Sequence, residues 1–449
     1  MGIVAVYNKK KGNCFQSLYW GLVGINHTGQ ESCGFVTSKG SGLKRETYEG
    51  LVRVKKIDEI HLDGYCGIGN VNTILDRQPR IYSTEDLGIY GISFDGFIVN
   101  NHELRKAVGE TFSTPYQVEL VGKLIGKGKN LLDGVENLAK EIIGTYCLGI
   151  VTEGGEVFAA RCPLAITPLI FGENEEICGI STESKGLTKM GMKIVRDLEP
   201  GEIVKIDDSG IHNLGYVEGK FGRGRKHCSF LWGYYSQPDS IIDGIPVNIV
   251  RELCGAKLAE YDNGLDFDIV SSVPRSADAY AEGYARASKH PLSFTLIKDD
   301  YALRSYSRPT DEERRIEASK KLSVIPNRVL GKRVVVVDDS LRRGTQAEGG
   351  PFEMLREAGA KEIHVRYGTP RNICMCRFAE RDRPDENLPA NLYKTDEEMA
   401  RYLGVDSVRF IEVKDFVDII ILLVVLARMT FVGGVIQEIL VFVDYNNFL

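Results

Sequence analysis

The chain has 449 residues, enough for two or three domains with complete hydrophobic cores. Its 43% apolar and 26% charged residues are typical of a soluble globular protein, and its formal net charge of −6 argues against nucleic-acid binding. The N-terminal residues lack the charged and long apolar segments of a secretory signal. Ten mostly unclustered cysteines fit a reducing compartment better than a disulfide framework, so we expect a cytoplasmic protein.

The first half of the chain, residues 1 to about 220, consists of short strand-like segments separated by glycine-containing turns. This pattern predicts a mostly antiparallel sheet. Helical patterns near residues 116–126 and 132–143 make the region α+β. The clearest strand-like segments are residues 2–6, 148–151, 156–160 and 202–206.

The second half begins after a basic, glycine-rich segment at residues 220–227, which lacks apolar periodicity and predicts a linker. Beyond it, strand-like and helix-like segments alternate, which indicates βαβ units in a parallel sheet. The strand-like segments are residues 269–273, 334–337 and 363–365, and the helix-like segments are 277–287 and 352–358.

Four consecutive valines at 334–337 predict a strand that is buried on both faces. Asp338 and Asp339 follow where this strand should end, and a loop from Ser340 to Thr345 comes next. In open α/β sheets, ligands bind outside the carboxyl ends of the strands. Carboxylates accept hydrogen bonds from sugar hydroxyls, whereas loop N–H groups and hydroxyls hold phosphate. The run therefore predicts a ribose 5-phosphate site, and the alternative is a charged turn without a ligand.

This run resembles the 5-phosphoribosyl 1-diphosphate (PRPP) signature of type I phosphoribosyltransferases, most closely that of amidophosphoribosyltransferases. The resemblance covers roughly the first 415 residues. It implies a glutaminase domain of the N-terminal nucleophile-hydrolase type, with a four-layer αββα architecture, at residues 1–220. An α/β type I phosphoribosyltransferase domain with a parallel sheet would follow at residues 228–415. Family members release ammonia from glutamine and add it to PRPP, which gives 5-phosphoribosylamine for purine biosynthesis.

The resemblance also implies roles for the residues after the valines. Asp338 and Asp339 would hold the ribose hydroxyls, and they would hold Mg²⁺ through water, since this ion keeps several of its waters. The 5-phosphate would be held by the loop residues Ser340, Arg343, Gly344 and Thr345.

The glutaminase motifs are altered at several positions. Family members have a nucleophilic cysteine directly before Gly-Ile-Val, where this chain has Met1, which carries no thiol. An arginine of the His-Arg-Gly-Gln block is Thr28, and the arginine that binds the substrate carboxylate is Asn72. The oxyanion asparagine is Asp95, whose charge has the wrong sign, and the aspartate for the substrate amine falls near Gln117. We predict that glutaminase activity is absent.

The transferase half keeps more of its motifs. Lys298, Tyr301 and Arg304 match the family's mobile loop, which closes over PRPP, and their charges suit a diphosphate leaving group. Arg275 stands in place of a family carboxylate, and Asp300 in place of a basic residue. Either the two residues form an ion pair whose charges have been swapped, or the two changes arose independently of each other.

One branch of the family carries a structural 4Fe–4S cluster on four cysteines. Cys228 falls at the first of these positions and Cys376 (or Cys374) near the second, whereas the closing Cys-x-x-Cys pair is missing. Cys228 and Cys376 are therefore either remnant cluster ligands or small buried apolar residues.

The tail, residues 416–449, is unusually apolar. Its uninterrupted apolar stretch, residues 419–427, is shorter than the ~20 residues of a membrane span. If residues 429–435 are translated back into codons and these are read in the frame two nucleotides later, the new reading permits the missing cysteine pair in its expected place. We therefore favour a frameshifted C-terminus over a membrane anchor.

The leading functional interpretation is a pentosyltransferase that binds Mg–PRPP and uses ammonia in place of glutamine. One alternative is a non-catalytic, PRPP-binding regulatory relative, favoured by the altered residues Arg275 and Asp300 and by Gln237, which replaces a family arginine. Another is a transferase with a different acceptor. The resemblance also implies a homo-oligomer.

Overall fold

The structure is a computed structural model that describes residues 1–52, 57–299, 321–342, 350–379, 384–431 and 440–442. The strands of its N-terminal domain are β1 (Gly2–Asn8), β2 (Ser32–Ser38), β3 (Leu43–Glu49), β4 (Cys66–Asn72), β5 (Arg80–Thr84), β6 (Gly88–Ile98), β7 (Gly144–Thr152), β8 (Val157–Arg161), β9 (Ile170–Glu173), β10 (Ile177–Ser181), β11 (Lys193–Asp197), β12 (Glu202–Asp207) and β13 (Gly210–Tyr216). Its helices are α1 (Phe15–Gly24), α2 (Asn101–Val108), α3 (Gln117–Ile125), α4 (Leu131–Glu141) and α5 (Ser184–Lys189).

Two antiparallel sheets stack on each other in this domain. One has the strand order β11-β9-β10-β1-β4-β2-β3, and the other β13-β12-β8-β7-β6-β5. Apolar side chains such as Ile3 and Val204 fill the space between the sheets. Helix α1 covers the outer face of the first sheet through Leu18, and α3 and α4 cover the second through Val121 and Leu138. The expected four-layer αββα architecture is confirmed.

A single parallel sheet forms the centre of the C-terminal domain. The strands of this domain are β14 (Lys226–Cys228), β15 (Ile241–Ile242), β16 (Ile245–Pro246), β17 (Ile269–Ser272), β18 (Leu296–Lys298), β19 (Leu322–Val324), β20 (Arg333–Asp338), β21 (Glu362–Tyr367), β22 (Ser407–Phe410) and β23 (Leu440–Phe442). The helices are α6 (Val247–Tyr261), α7 (Asp278–Ser288), α8 (Pro326–Val329), α9 (Pro351–Glu357), α10 (Pro389–Leu392), α11 (Asp396–Leu403) and α12 (Val413–Phe431), together with a π-helical turn, Leu231–Tyr235.

The central sheet has the order β17-β20-β21-β22, and all three strand pairs are parallel. Strand β20 lies inside the sheet, which is why both of its faces are apolar. Val335 and Val337 pack with α6 and α7, whereas Val334 and Val336 pack with α9 and α11. The predicted parallel α/β sheet is confirmed.

The predicted linker, residues 220–227, lies against the N-terminal domain. The backbone N–H groups of Gly224 and Lys226 donate hydrogen bonds to the carbonyl oxygens of Pro163 and Leu164, over 3.0 and 2.8 Å.

Helix α12 contains the start of the apolar tail. Phe416, Ile420 and Val424, spaced by four residues, are buried against the α6 side of the sheet, whereas Leu422 is 55% exposed. The boundary predicted after residue 415 therefore falls inside a helix, and the core of the domain continues at least to Val424. Of the remaining tail, residues 432–439 and 443–449 lie outside the described residues.

Across the described ranges, the structure contains no helix with the length and apolar character needed to cross a membrane.

Candidate active site

Asp338 and Asp339 lie at the carboxyl end of β20, as the sequence predicts, and are only 2% and 5% exposed. The backbone N–H of Asp339 donates to Asp338 Oδ1 over 2.8 Å, and Ser340 Oγ donates to Asp339 Oδ1 over 2.6 Å. The backbone of the neighbouring strand end holds the pair from the side. Gly368 N donates to the carbonyl oxygen of Asp338, and Thr369 N to that of Asp339. The two acids are thus fixed at the edge where parallel sheets bind ligands.

Burial raises the pKa of Asp339, because desolvation disfavours the charged form. Hydrogen bonds from the hydroxyls of Ser276 and Ser340 and the positive charge of Arg251 oppose this shift. Arg251 is 1% exposed on α6, among Val250, Cys254 and other core residues. The sequence prediction missed it, although an arginine on the apolar face of a helix is a recognisable signal.

Tyr367 is a further residue that sequence reasoning missed. It is the register partner of Asp338 on β21, and its ring stacks on Phe410 with 4.7 Å between centroids. Among the described residues its buried hydroxyl has no hydrogen-bond partner. Burial raises its pKa well above the ordinary value, and the nearby charges of Asp338 and Asp339 add to this.

The loop after β17 lies beside the acids and contains Arg275, one of the residues that differ from the family motif. Ser272 Oγ donates to Asp278 Oδ1 over 2.5 Å. Burial raises the pKa of Asp278, and the Ser272 hydrogen bond and the charges of Arg275 and Lys298 oppose the shift. Lys298, at the end of β18, is therefore close to the loop that contacts Asp339 through Ser276.

Several predicted site residues lie outside the described residues. They are Asp300, Tyr301, Arg304, Arg343, Gly344 and Thr345. The proposed exchange of charge between positions 275 and 300 therefore stays a prediction.

A second cluster of polar groups surrounds the start of β1, at the altered glutaminase-motif positions Met1, Thr28 and Asp95. The N-terminal amine donates to the carbonyl oxygen of Thr28 over 2.8 Å and to the Tyr235 hydroxyl over 3.3 Å. Burial lowers the pKa of this amine, and Asp95 partly restores it. Burial also raises the pKa of Asp95 to about 6, and the amine opposes that shift.

The altered side chains at the glutaminase-motif positions bond to the protein itself. Thr28 Oγ1 donates to the carbonyl oxygen of Ile25, and Asn72 Nδ2 to that of Asp76, both over 2.8 Å. Gln117 pairs with both the N–H and the carbonyl oxygen of Ile98, over 2.8 and 3.1 Å. An arginine or an aspartate at these positions would instead present a full charge to a ligand.

Glu183 joins this cluster to the C-terminal domain, and no sequence pattern indicates its role. Its Oε2 lies 2.7 Å from His27 Nε2, while its Oε1 accepts from Gln237 N and Ser240 Oγ. Gln237, which replaces a family arginine, therefore contacts the N-terminal domain through its backbone.

The two groups of candidate metal ligands are the aspartate pair and the cysteines, and they differ in how well they suit the metals expected for them. Among the described residues, no group of three or more His, Cys, Asp or Glu side chains is arranged to hold a metal. Mg²⁺ needs only one or two protein carboxylates when substrate oxygens and water complete its shell, so Asp338 and Asp339 fit it chemically. They are the residues that would hold it.

The cysteines do not fit a 4Fe–4S cluster, which takes four thiolates. The chain has ten cysteines. Cys228, Cys374 and Cys376 are at least partly exposed in the C-terminal domain, and the other seven are buried. Burial raises the pKa of the Cys228 thiol to about 11, and nearby Cys376 contributes.

Comparisons with known proteins identify relatives that are similar to this chain over most of its length. Residues 69–189 match the family model described as a glutamine amidotransferase domain. The amidophosphoribosyltransferase of Methanocaldococcus jannaschii is 33% identical, with 93% of this chain and 93% of that protein covered. The Bacillus subtilis amidophosphoribosyltransferase is 31% identical, with 89% of this chain and 85% of that protein covered.

A solved structure covers almost the whole chain. It is the glutamine PRPP amidotransferase of B. subtilis complexed with ADP and GMP, with a TM-score of 0.84 and 30% identity, covering 94% of this chain and 92% of that one. Both domains thus have counterparts in proteins of one kind, and the chain belongs to the amidophosphoribosyltransferase family.

Proposed function

We propose that the chain binds Mg–PRPP at the end of β20 and transfers the phosphoribosyl group to ammonia, which forms 5-phosphoribosylamine. One observation carries the proposal: two buried carboxylates lie side by side at the carboxyl end of a central parallel strand. In this reaction ammonia forms a bond to C1 of the ribose, the C1–oxygen bond breaks, and diphosphate leaves with its electron pair. Bound Mg²⁺ would neutralise charge on the diphosphate.

The protein's own residues supply binding and orientation. Asp338 and Asp339 accept hydrogen bonds from the ribose hydroxyls and so fix C1 for attack. Lys298, near the Ser272–Asp278 loop, places a positive charge where the leaving diphosphate becomes more negative. We include Tyr301 and Arg304 of the same segment, and Arg343, Gly344 and Thr345 of the phosphate loop, in this proposal.

Ammonia as the nitrogen source is supported by the residues at the glutaminase-motif positions. Glutaminase chemistry needs a nucleophile and a cation for the substrate carboxylate. At the corresponding positions Met1 offers a thioether and Asn72 an uncharged amide that already bonds to the backbone. Asp95 adds negative charge where an oxyanion would form.

Diphosphate release tests the proposal. The chain is incubated with PRPP and Mg²⁺, and with ammonium chloride at pH 8.5 or with glutamine. We expect diphosphate release with ammonium, no release above background with glutamine, and no formation of glutamate.

Asp339→Asn should weaken PRPP binding at least tenfold, because a hydrogen bond to a charged group contributes about 1.5–3 kcal/mol. Glutamine-dependent release would contradict the choice of donor, and failure to bind PRPP would contradict the site.

A non-catalytic, PRPP-binding regulator is the second candidate. Arg275 favours it, because a positive charge replaces a carboxylate in the loop that approaches Asp339. Tight PRPP binding without diphosphate release under any nitrogen donor would support this candidate over the first, whereas release with a different amine would indicate another acceptor. In either case we propose a cytoplasmic homo-oligomer.

A further inference from the structure

Arg251 is a buried cation that contacts backbone carbonyl groups. Its Nε donates to the carbonyl oxygen of Trp232 over 2.8 Å, its Nη2 to that of Ser236 over 2.7 Å, and its Nη1 to that of Ser276 over 3.5 Å. Within the described ranges, no carboxylate lies within 4 Å of its guanidinium, unlike Arg366, which pairs with Asp262. A buried charge is costly unless it is satisfied, so these carbonyl contacts indicate a specific arrangement.

The carbonyl groups belong to two segments that border the PRPP site. Trp232 and Ser236 span the π-helical turn after β14, and Ser276 lies in the loop after β17. The hydroxyl of Ser276 bonds to Asp339, and the charge of Arg251 reaches that carboxylate as well. The rigid fork of an arginine can hold several carbonyl oxygens in fixed directions, whereas a lysine offers one point charge.

We propose that Arg251 is a positioning residue of the PRPP site: it fixes the loop that carries Ser276 and, through Ser276, the carboxylate of Asp339. The inference rests on the proposed PRPP binding by Asp339. Arg251 itself is buried under the loop, and its effect on PRPP is transmitted through Ser276. Since acceptor geometry decides the strength of a hydrogen bond, a loosened Ser276 loop weakens binding of the ribose hydroxyls.

The test compares PRPP dissociation constants, measured by titration calorimetry with Mg²⁺, for the full chain, three single variants and one double variant. Arg251→Lys keeps the charge and loses the fork, and we expect about tenfold weaker PRPP binding. In turnover assays the KM for PRPP should rise while the KM for ammonia stays unchanged. Arg366→Lys is the matched control, since this arginine is also buried in the same domain but pairs with Asp262. It should lose stability without weakening PRPP binding.

Ser276→Ala is a second variant whose result does not depend on how well Arg251→Lys folds. We expect it to fold because Ser276 is only partly buried. It should weaken PRPP binding to a similar degree, and the double variant should be little worse than either single one. Three outcomes would overturn this inference and leave the proposed function standing. They are equal losses of PRPP affinity in Arg251→Lys and Arg366→Lys, strictly additive losses of affinity in the double variant, and an unchanged dissociation constant in Ser276→Ala. No PRPP binding by the unaltered chain would overturn the proposed function with it.

Discussion

Asp95 is a carboxyl group buried beside the N-terminal amine, and burial raises its pKa to about 6. A folded-state pKa above the unfolded value means that the folded chain holds this proton more tightly. The associated stability is complete below the unfolded pKa of about 4 and is lost as the pH rises through 6. Ionised Asp95 therefore destabilises the fold at neutral and alkaline pH.

The variant Asp95→Asn should be more stable than the unaltered chain at pH 8, by about 1–3 kcal/mol, because the amide carries no charge to desolvate. The gain should be clearly smaller at pH 5, where much of the native carboxyl group is protonated. Urea unfolding at the two pH values measures both effects. Asp86→Asn, an exposed site in the β5–β6 turn, should change stability at neither pH. An equal gain from Asp95→Asn at both pH values would contradict the assigned cause.

At the scale of elements, the apolar segment in α12 can be assigned to the domain core only because the structure shows the helix, α6, against which it packs. The buried residues Phe416, Ile420 and Val424 repeat every four positions, which places them on one face of the helix. That face packs with α6 residues such as Val250 and Cys254. The repeat is visible in the sequence, but the apolar face of α6 that receives it is known only from the fold.

Replacing Ile420 tests whether α12 is part of the domain core. Ile420→Ala should lower the free energy of unfolding by about 2–4 kcal/mol, since it leaves a cavity at a residue that is 0% exposed. Leu422→Ala, two positions away and 55% exposed, should lower it by less than about 1 kcal/mol. Chemical denaturation followed by circular dichroism measures both variants. Similar small effects would mean that the helix packs loosely on the sheet.

Local patterns predicted most of the sheet framework and one end of the candidate active site. Four valines followed by two aspartates were enough to locate β20 and its acids, because that signal is contained in one short segment. Arg251 and Tyr367 could not be assigned in the same way, since their roles depend on separate elements meeting. The contact of Tyr235 with Thr28 joins residues 207 positions apart, and no local pattern reports such a pairing.

At the scale of the whole molecule, Asp243 connects the two domains through a buried set of charges. Its carboxylate lies 3.4 Å from Arg161 of β8, 2.9 Å from Arg225 and 3.2 Å from His227, and its side chain is 1% exposed. Burial alone would raise its pKa, but the charges of Arg161 and Arg225 and a hydrogen bond with His227 hold that pKa well below the ordinary value. Asp243 also repels Asp197, whose pKa burial raises to about 7.

Asp243→Asn should therefore destabilise the junction more than a surface change does. Arg161 and Arg225 would lose their shared counter-charge in a buried site, which should lower the free energy of unfolding by about 3–5 kcal/mol. Asp239→Asn is the control, because Asp239 pairs with Lys185 at the same junction but is 59% exposed, and it should change stability by less than about 1 kcal/mol. Differential scanning calorimetry should also show separate unfolding of the two domains in Asp243→Asn. A single, unshifted transition would mean that the junction is held elsewhere, for example by the contacts of Glu183 with Gln237 and Ser240.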